Sequence, residues 1–250
     1  MNLLFTFYKF PYNIIVASLY IIGTPIGNLG DITYRAVETL KNVDYIAAED
    51  TRHTLQLLNH FDIKKPMISC RAQNEKYAGE KIISLLKDGN DIAYASDAGT
   101  PGVSDPGEVL VDIVREAGFN VVPIPGPAAF TTLVSVAGSG GKTLIFEGFL
   151  SPKSGKRKSR LQELMATGNA VVIYESPFRI VKLLTDIADI DKERRIVVGR
   201  ELTKLHEEIT SGTAGDLLAD YSSRQSIKGE FAVFISGVKK IKFSEESTDN

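Results

Sequence analysis

The chain has one cysteine, no tryptophan and three histidines in 250 residues. A lone thiol, Cys70, excludes an internal disulfide and fits a reducing compartment, so a cytoplasmic location is expected. His53, His60 and His206 have no second soft ligand nearby in sequence, so no metal site and no metal dependence are expected. An excess of one charge is missing as well. With 29 Lys+Arg against 31 Asp+Glu and a formal charge of -2, no global basic field points to nucleic acid or to an anionic membrane, and a polyanion partner would have to be met by a local patch. The apolar start MNLLFTFYKFPYNIIVASLYII has no basic n-region, and Lys9 and Pro11 break it well short of a membrane span. It reads as an N-terminal extension running into a buried strand.

What is present is the composition of a soluble globular protein, 43% hydrophobic and long enough for one large or two modest domains. Residues 1–141 hold 11 basic and 15 acidic side chains and residues 142–250 hold 18 and 16, which makes the second half the candidate anion binder. Short apolar β-branched runs alternate with stretches of helical period, the signature of βα units on a mostly parallel sheet. Strands are expected at VASLYII (16–22), YIAA (45–48), PMIS (66–69), DIAYA (91–95) and NVVPI (120–124). Helices are expected over 31–42, 51–60, 74–87 and 105–117, with Asp31, Asn74 and Asp105 at the N-caps.

The stretch SVAGSGGKT (135–143) has no periodicity and reads as a linker. Strands then return at TLIFEGF (143–149), NAVVIYE (169–175), RIVVGR (195–200) and GEFAVFIS (229–236), with helices near 157–167, 177–188 and 213–222. The expected organisation is an extension (1–16), an N-terminal α/β domain (17–137), a linker (138–142), a C-terminal α/β domain (143–238) and a polar tail (239–250).

Two glycine-rich motifs fail the usual nucleotide tests. GGKT (140–143) lacks the glycine that a phosphate loop needs five residues before Gly141, and a strand rather than a helix follows it. GTPIGNLG (23–30) does not have the dinucleotide spacing. SDAGTPGVSDPG (96–107) follows a buried strand and precedes a helix, yet it carries two aspartates and no cation. A phosphate there would be repelled. Its glycines suit close backbone approach to an uncharged or cationic ligand, and Asp97 can accept from hydroxyls or amines. S-adenosylmethionine has that chemistry.

LYIIGTPIGNLGDIT, AAEDTRHT, SDAGTPGVSDPG, VVPIPGPAA, FEGFL with KSGKRKSRL, YESPFRI, GRELTKLHEEI and GEFAVFISG, in this order from about Leu19 to Gly237, resemble the ribosomal RNA small subunit methyltransferase I family of the tetrapyrrole methylase superfamily. The resemblance implies a two-domain α/β tetrapyrrole methylase-like fold, with a mostly parallel sheet in the N-terminal domain and a mixed sheet with helices in the C-terminal domain. It also implies a homodimer, with S-adenosylmethionine in the cleft between the domains and S-adenosylhomocysteine as product. The acceptor it implies is the ribose 2′-hydroxyl of a decoding-centre cytidine in 16S rRNA, in the small ribosomal subunit. By motif, Pro25, Ser96, Asp97, Gly99, Thr100, Ala128 and Ala129 would line the cofactor, with Tyr174, Arg200 and Glu201 closing over it. The chain departs from the family pattern at SCRAQ (69–73), where similar proteins carry histidines, and at GSGGK before the FEGF block.

Methyl transfer to a hydroxyl is helped by a base, and Glu49 and Asp50 at a strand end, with Arg52, form the candidate catalytic cluster. The same residues would equally serve as a favourable acidic helix start. The basic run holds Lys153, Lys156, Arg157, Lys158 and Arg160 with no acid among them. Cations at a helix start oppose the macrodipole, so an RNA phosphate is their expected partner, with Arg179 beside them. No RNP-like aromatic motif is visible, so RNA shape and 2′-hydroxyls are the expected readout. Two other functions fit the pattern, methylation of a corrin or porphyrin and a noncatalytic ribosome-binding factor that keeps the fold.

Overall fold

The computed structural model of the chain describes residues 17–138 and 141–238. The expected extension (1–16), the polar tail (239–250) and positions 139–140 of the expected linker lie outside the described residues. The described residues divide into two compact units, one made of 17–24 with Ile32–Gly126, the other of Pro25–Asp31 with 127–138 and 141–238.

The first unit is built from β1 (Ser18–Ile22), α1 (Tyr34–Asn42), β2 (Tyr45–Ala48), α2 (Thr51–His60), β3 (Met67–Ser69), α3 (Glu75–Lys87), β4 (Ile92–Ala95), α4 (Glu108–Glu116) and β5 (Asn120–Ile124). Its strands pair in the order β3-β2-β4-β1-β5, every pair parallel. Alternation along the strands explains why both faces need covering. Leu19, Ala47, Ile92 and Tyr94 point to one face, under Ile82 and Leu86 of α3 and Leu110 and Val114 of α4. Ile22, Ile46 and Ala93 point to the other, under Ala36 and Leu40 of α1 and Leu58 of α2.

The second unit contains α5 (Ala129–Ala137), β6 (Leu144–Phe149), α6 (Ser154–Ala166), β7 (Ala170–Glu175), α7 (Ile180–Ile190), β8 (Arg195–Arg200), β9 (Glu208–Thr213), α8 (Ala214–Ser223) and β10 (Phe231–Ile235). The sheet order is β6-β7-β10-β8-β9, with β6 and β7 parallel and the other pairs antiparallel, so it is mixed as expected. One face packs on α6, α7 and α8 through Leu161, Leu184 and Leu217. The other packs on α5 through Leu133 and Ala137.

Several boundaries differ from the sequence reading. The units part at Gly126/Pro127 rather than within 138–142, because AFTTLVSVA forms α5, whose apolar side belongs to the second sheet. The first three residues assigned to the linker, Ser135 to Ala137, end that helix. The edge strand β9 was not foreseen in EITSGT, where every position is only half-buried or exposed. Helix α1 is capped by Thr33, which accepts from Ala36 N at 3.1 Å, and not by Asp31, which sits in a preceding 3-10 turn. Asn74 does hold the N-cap position of α3, but its side chain accepts from Arg71 N and donates to Ser69 O instead of bonding into the helix.

Candidate active site

Five parallel strands place their carboxyl ends along one edge of the first unit, where open α/β sheets take ligands. Gly23 and Thr24 leave β1 there, Glu49 and Asp50 leave β2, and Ser96 and Asp97 leave β4. These segments are bonded to one another. Thr24 and Gly99 exchange backbone hydrogen bonds of 2.8 and 3.1 Å, and the Thr24 hydroxyl donates to Gly99 O at 3.3 Å. Asp50 N donates to Asp97 Oδ1 at 3.0 Å, and Asp97 N donates to Glu49 Oε2 at 3.4 Å. Each strand end thus fixes the carboxylate of the other. Gly23 and Gly126 approach so closely that a Cβ on either would lie 2.6 Å from the other's backbone.

The two acidic residues after β2 are in opposite electrostatic states. Burial raises the Glu49 carboxyl above its usual range, and the charges of Asp97, Asp105 and Asp50 add to this, while the Asp97 N–H works against it. The Arg52 side chain and backbone N–H hold Asp50 far below the usual carboxylate range. Asp50 is also the N-cap of α2, bonded to Arg52 N at 2.9 Å and ion-paired to the Arg52 guanidinium at 2.7 Å. Asp50 and Arg52 therefore satisfy each other at a helix start, and of the expected catalytic cluster Glu49 alone has the environment of a base. Arg71, outside the expected set, donates from Nε to Glu49 O at 3.2 Å.

The loop from Ser96 to Gly107 is shaped by its glycines. Gly99 adopts φ 84°, which lets its carbonyl face Thr24, and Gly107 adopts φ 130° against the ring of Tyr94. Gly107, not Asp105, is the N-cap of α4, and it has no side chain to cap with. The missing bond comes from Glu75, a buried carboxylate at the start of α3 whose Oε1 accepts from Leu110 N at 3.0 Å. The Ser96 and Tyr94 hydroxyls are buried, and among the described residues neither has a hydrogen-bond partner. Burial, then the charge of Glu75, pushes the Cys70 thiol up to about 12, so this cysteine is an inert core residue.

In the second unit, the Tyr174 hydroxyl accepts from Phe130 N at 2.9 Å and so caps α5, whose own N-cap residue is Ala128. Ile26, next to Pro25, packs with Ala129, Phe130 and Tyr174 around one apolar cluster. The expected residues Pro25, Ala128, Ala129 and Tyr174 are thereby tied into one neighbourhood. Arg200 and Glu201 serve their own loop. Arg200 pairs with Glu208 at 2.8 Å, and Glu201 accepts from Glu230 N and Lys204 Nζ at 2.9 and 3.0 Å. Burial raises the Glu201 carboxyl, and those donors outweigh it, leaving it below its usual range. Both Glu201 (φ 49°) and Thr203 (φ 66°) are left-handed, a strain that the network holds in place.

The basic run is divided by its partners. Arg157 is 3% exposed, so it cannot meet RNA: its guanidinium is sealed against Asp186 by the packing of α6 on α7. Lys158 pairs with Asp189, Arg160 with Glu147 and Glu163, and Arg179 with the fully buried Glu175. Lys153 and Lys156 are exposed, and among the described residues neither has an ion-pair partner.

The donor set at the first unit's strand ends suits a neutral or cationic ligand with hydroxyl and amine groups. It offers carboxylates, an unpartnered buried serine hydroxyl and glycine backbone, and 96–107 contain no cation for a phosphate. Among the described residues no group of three or more His, Cys, Asp or Glu side chains is placed to hold a metal, and no helix is long and apolar enough to cross a membrane.

Residues 18–218 match the family model for tetrapyrrole (corrin/porphyrin) methylases. The chain is 47% identical over 219 residues to the ribosomal RNA small subunit methyltransferase I of Borrelia garinii subsp. bavariensis, covering 87% of this chain and 98% of that protein. It is 43% identical to the protein of that name from Thermotoga maritima, covering 89% and 99% of the two chains. Its fold resembles that of the cobalamin biosynthetic enzyme cobalt precorrin-4 methyltransferase CbiF, with a TM-score of 0.64 at 17% identity over 88% of this chain and 94% of that one. The methyltransferase CobJ gives a TM-score of 0.67 at 15% identity, with the same coverage.

Proposed function

Since this chain belongs to the ribosomal RNA small subunit methyltransferase I family of tetrapyrrole methylases, we propose that it is an S-adenosylmethionine-dependent rRNA methyltransferase. Its proposed product is the 2′-O-methylated ribose of a decoding-centre cytidine in 16S rRNA, made by a cytoplasmic homodimer acting on the small subunit. The observation that carries this reading is the interlocked pair Glu49 and Asp97 under a cation-free glycine loop.

Ser96, Asp97, Gly99 and Thr100 are the residues proposed to hold the cofactor. When bound, S-adenosylmethionine supplies an electrophilic methyl group on a positively charged sulfonium. Asp97 keeps one oxygen on Asp50 N and offers the other to a ligand hydroxyl or amine. The backbone pairing of Thr24 with Gly99 fixes the loop, so a ligand meets a preorganised surface. Glu49 keeps Oε2 on Asp97 N and presents Oε1 to take the proton that the ribose 2′-hydroxyl sheds. Its raised pKa makes it a better proton acceptor than an ordinary surface carboxylate. Lys153 and Lys156 are the cations proposed to meet RNA phosphates.

The test is methyl transfer from labelled S-adenosylmethionine to purified small subunits lacking the modification, with the product nucleoside mapped by mass spectrometry. Label on the ribose of a decoding-centre cytidine is expected. Label on a base, on a tetrapyrrole offered in competition, or on nothing despite cofactor binding would overturn the assignment.

A further inference from the structure

We propose that Phe178, with Phe149, forms a stacking surface for unpaired RNA bases at the carboxyl ends of β7 and β6, flanked by the free cations Lys153 and Lys156. The inference rests on the rRNA reading above and names how such a substrate would be gripped. Phe178 is 88% exposed and Phe149 58%, whereas Phe231 and Phe234 of the same unit are buried. Phe130, Phe146 and Tyr174 are half-buried and Tyr221 is buried, so among the described residues Phe149 and Phe178 are the unit's two exposed phenyl rings.

The turn that carries Phe178 is braced rather than loose. Glu175, whose side chain is fully buried, accepts from Ser176 N at 2.7 Å and pairs with Arg179 at 2.7 Å through the same oxygen. Arg179 N and Ile180 N both return to Ser176 O at 3.1 Å. The Arg179 guanidinium also donates to Leu150 O at 3.4 Å, linking the turn to the residue after Phe149. Phe149 is in turn set edge-on to Tyr174, with ring centroids 5.7 Å apart. A buried carboxylate with its second oxygen unpartnered is costly to keep. Here its visible effect is to fix the backbone that carries Phe178, so that stacking has only the side chain's own rotamers to order.

The charges beside these rings select the occupant. From Leu150 the chain runs directly into Lys153, whose N–H is held by the Ser151 hydroxyl at 3.3 Å, and then into α6 with Lys156 in its first turn. These ammonium groups lie at the positive end of the helix dipole with no carboxylate to meet them, an arrangement an external anion would relieve. Exposed aromatic faces next to unneutralised cations are what single-stranded nucleic acid binds, base on ring and phosphate on ammonium.

The experiment uses the full chain and a short single-stranded RNA containing 2-aminopurine, whose fluorescence is quenched on stacking. Phe178→Ala and Phe178→Leu are each expected to weaken binding about 5- to 100-fold and to reduce the quench, and Phe178→Trp to retain both. Calorimetric cofactor binding at wild-type strength certifies the folded variants. Wild-type binding and quench in Phe178→Ala, no quench by the wild-type protein, or a change in sedimentation with no change in RNA affinity would each overturn the proposal, the last in favour of a protein contact. Wild-type methyl transfer to small subunits is measured alongside. If that transfer is absent the rRNA reading fails, whereas if it is present and Phe178→Ala binds RNA normally only the stacking surface fails.

Discussion

Arg157 donates from Nε to Asp186 Oδ2 at 2.6 Å, with the two side chains 4% and 10% exposed. Together with Lys158 and Asp189 this bond staples α6 to α7, so two of the five cations in a run that reads as a polyanion site are structural. Arg157→Ala strands a buried carboxylate and is expected to cost about 3–5 kcal/mol in urea unfolding. The apolar double variant Arg157→Met/Asp186→Leu should recover most of that loss. A single variant as stable as wild type would refute the buried pair.

The remaining cations should carry the RNA affinity. Lys153→Ala/Lys156→Ala is expected to lower the slope of log K against log salt by about 1.4 to 1.8, roughly 0.7 to 0.9 per lost phosphate contact. Lys158→Ala/Arg160→Ala, whose charges are answered by Asp189, Glu147 and Glu163, should leave the slope near wild type. Titrations of a 16S rRNA fragment at several salt concentrations separate the two. Equal slopes for both variants would mean that ion pairing within the protein does not decide which cations meet RNA.

Period-2 and period-3.6 patterning made most strands and most helices legible, the edge strand β9 excepted, because burial on both faces of a parallel sheet leaves short, continuous apolar runs such as IAYA. The pattern failed where sequence neighbours are not spatial neighbours. AFTTLVSVA is β-branched and small, so its helicity comes from the sheet it covers rather than from propensity. The cap that Glu75 supplies to α4 spans 35 residues and leaves no local signature. The loop 96–107 was legible as a turn-rich, glycine-bearing segment between β4 and α4. The contrast between Glu49 and Asp50 was not, since adjacent carboxylates look alike until one meets Arg52 and the other is buried. Phe178 reads as one more apolar residue until its exposure is seen.

Gly107 joins the loop to α4 at φ 130°, and a Cβ there would lie 2.8 Å from Tyr94 Cε1. Gly107→Ala is therefore expected to destabilise the fold by at least about 1–3 kcal/mol from backbone strain, with the clash adding to it. Glu75→Ala should cost about 1–2 kcal/mol by leaving Leu110 N unanswered, and Glu75→Gln, which retains an acceptor oxygen, should cost less. Thermal unfolding of the three variants checks the order. Glu75→Gln as damaging as Glu75→Ala would show that charge, not capping, is what that site needs.

Glu49 gives a pH dependence whose sign differs between stability and activity. Its carboxyl is raised in the folded protein, mainly by burial, so the folded state holds that proton more tightly than the unfolded chain does. The resulting stabilisation is fully present below the unfolded value and fades as pH rises through the folded one. Proton acceptance has the opposite requirement, because only the ionised form can act as a base. Methyl transfer should therefore climb with pH through the raised Glu49 value and then level off. Glu49→Gln keeps an acceptor for Asp97 N but cannot take a proton, so it should bind cofactor normally, lose about 10²- to 10⁴-fold in rate and lose the acid limb. A pH–rate profile beside cofactor calorimetry makes the decision. A Glu49→Gln variant with the wild-type rate and the same limb would move proton acceptance to another group.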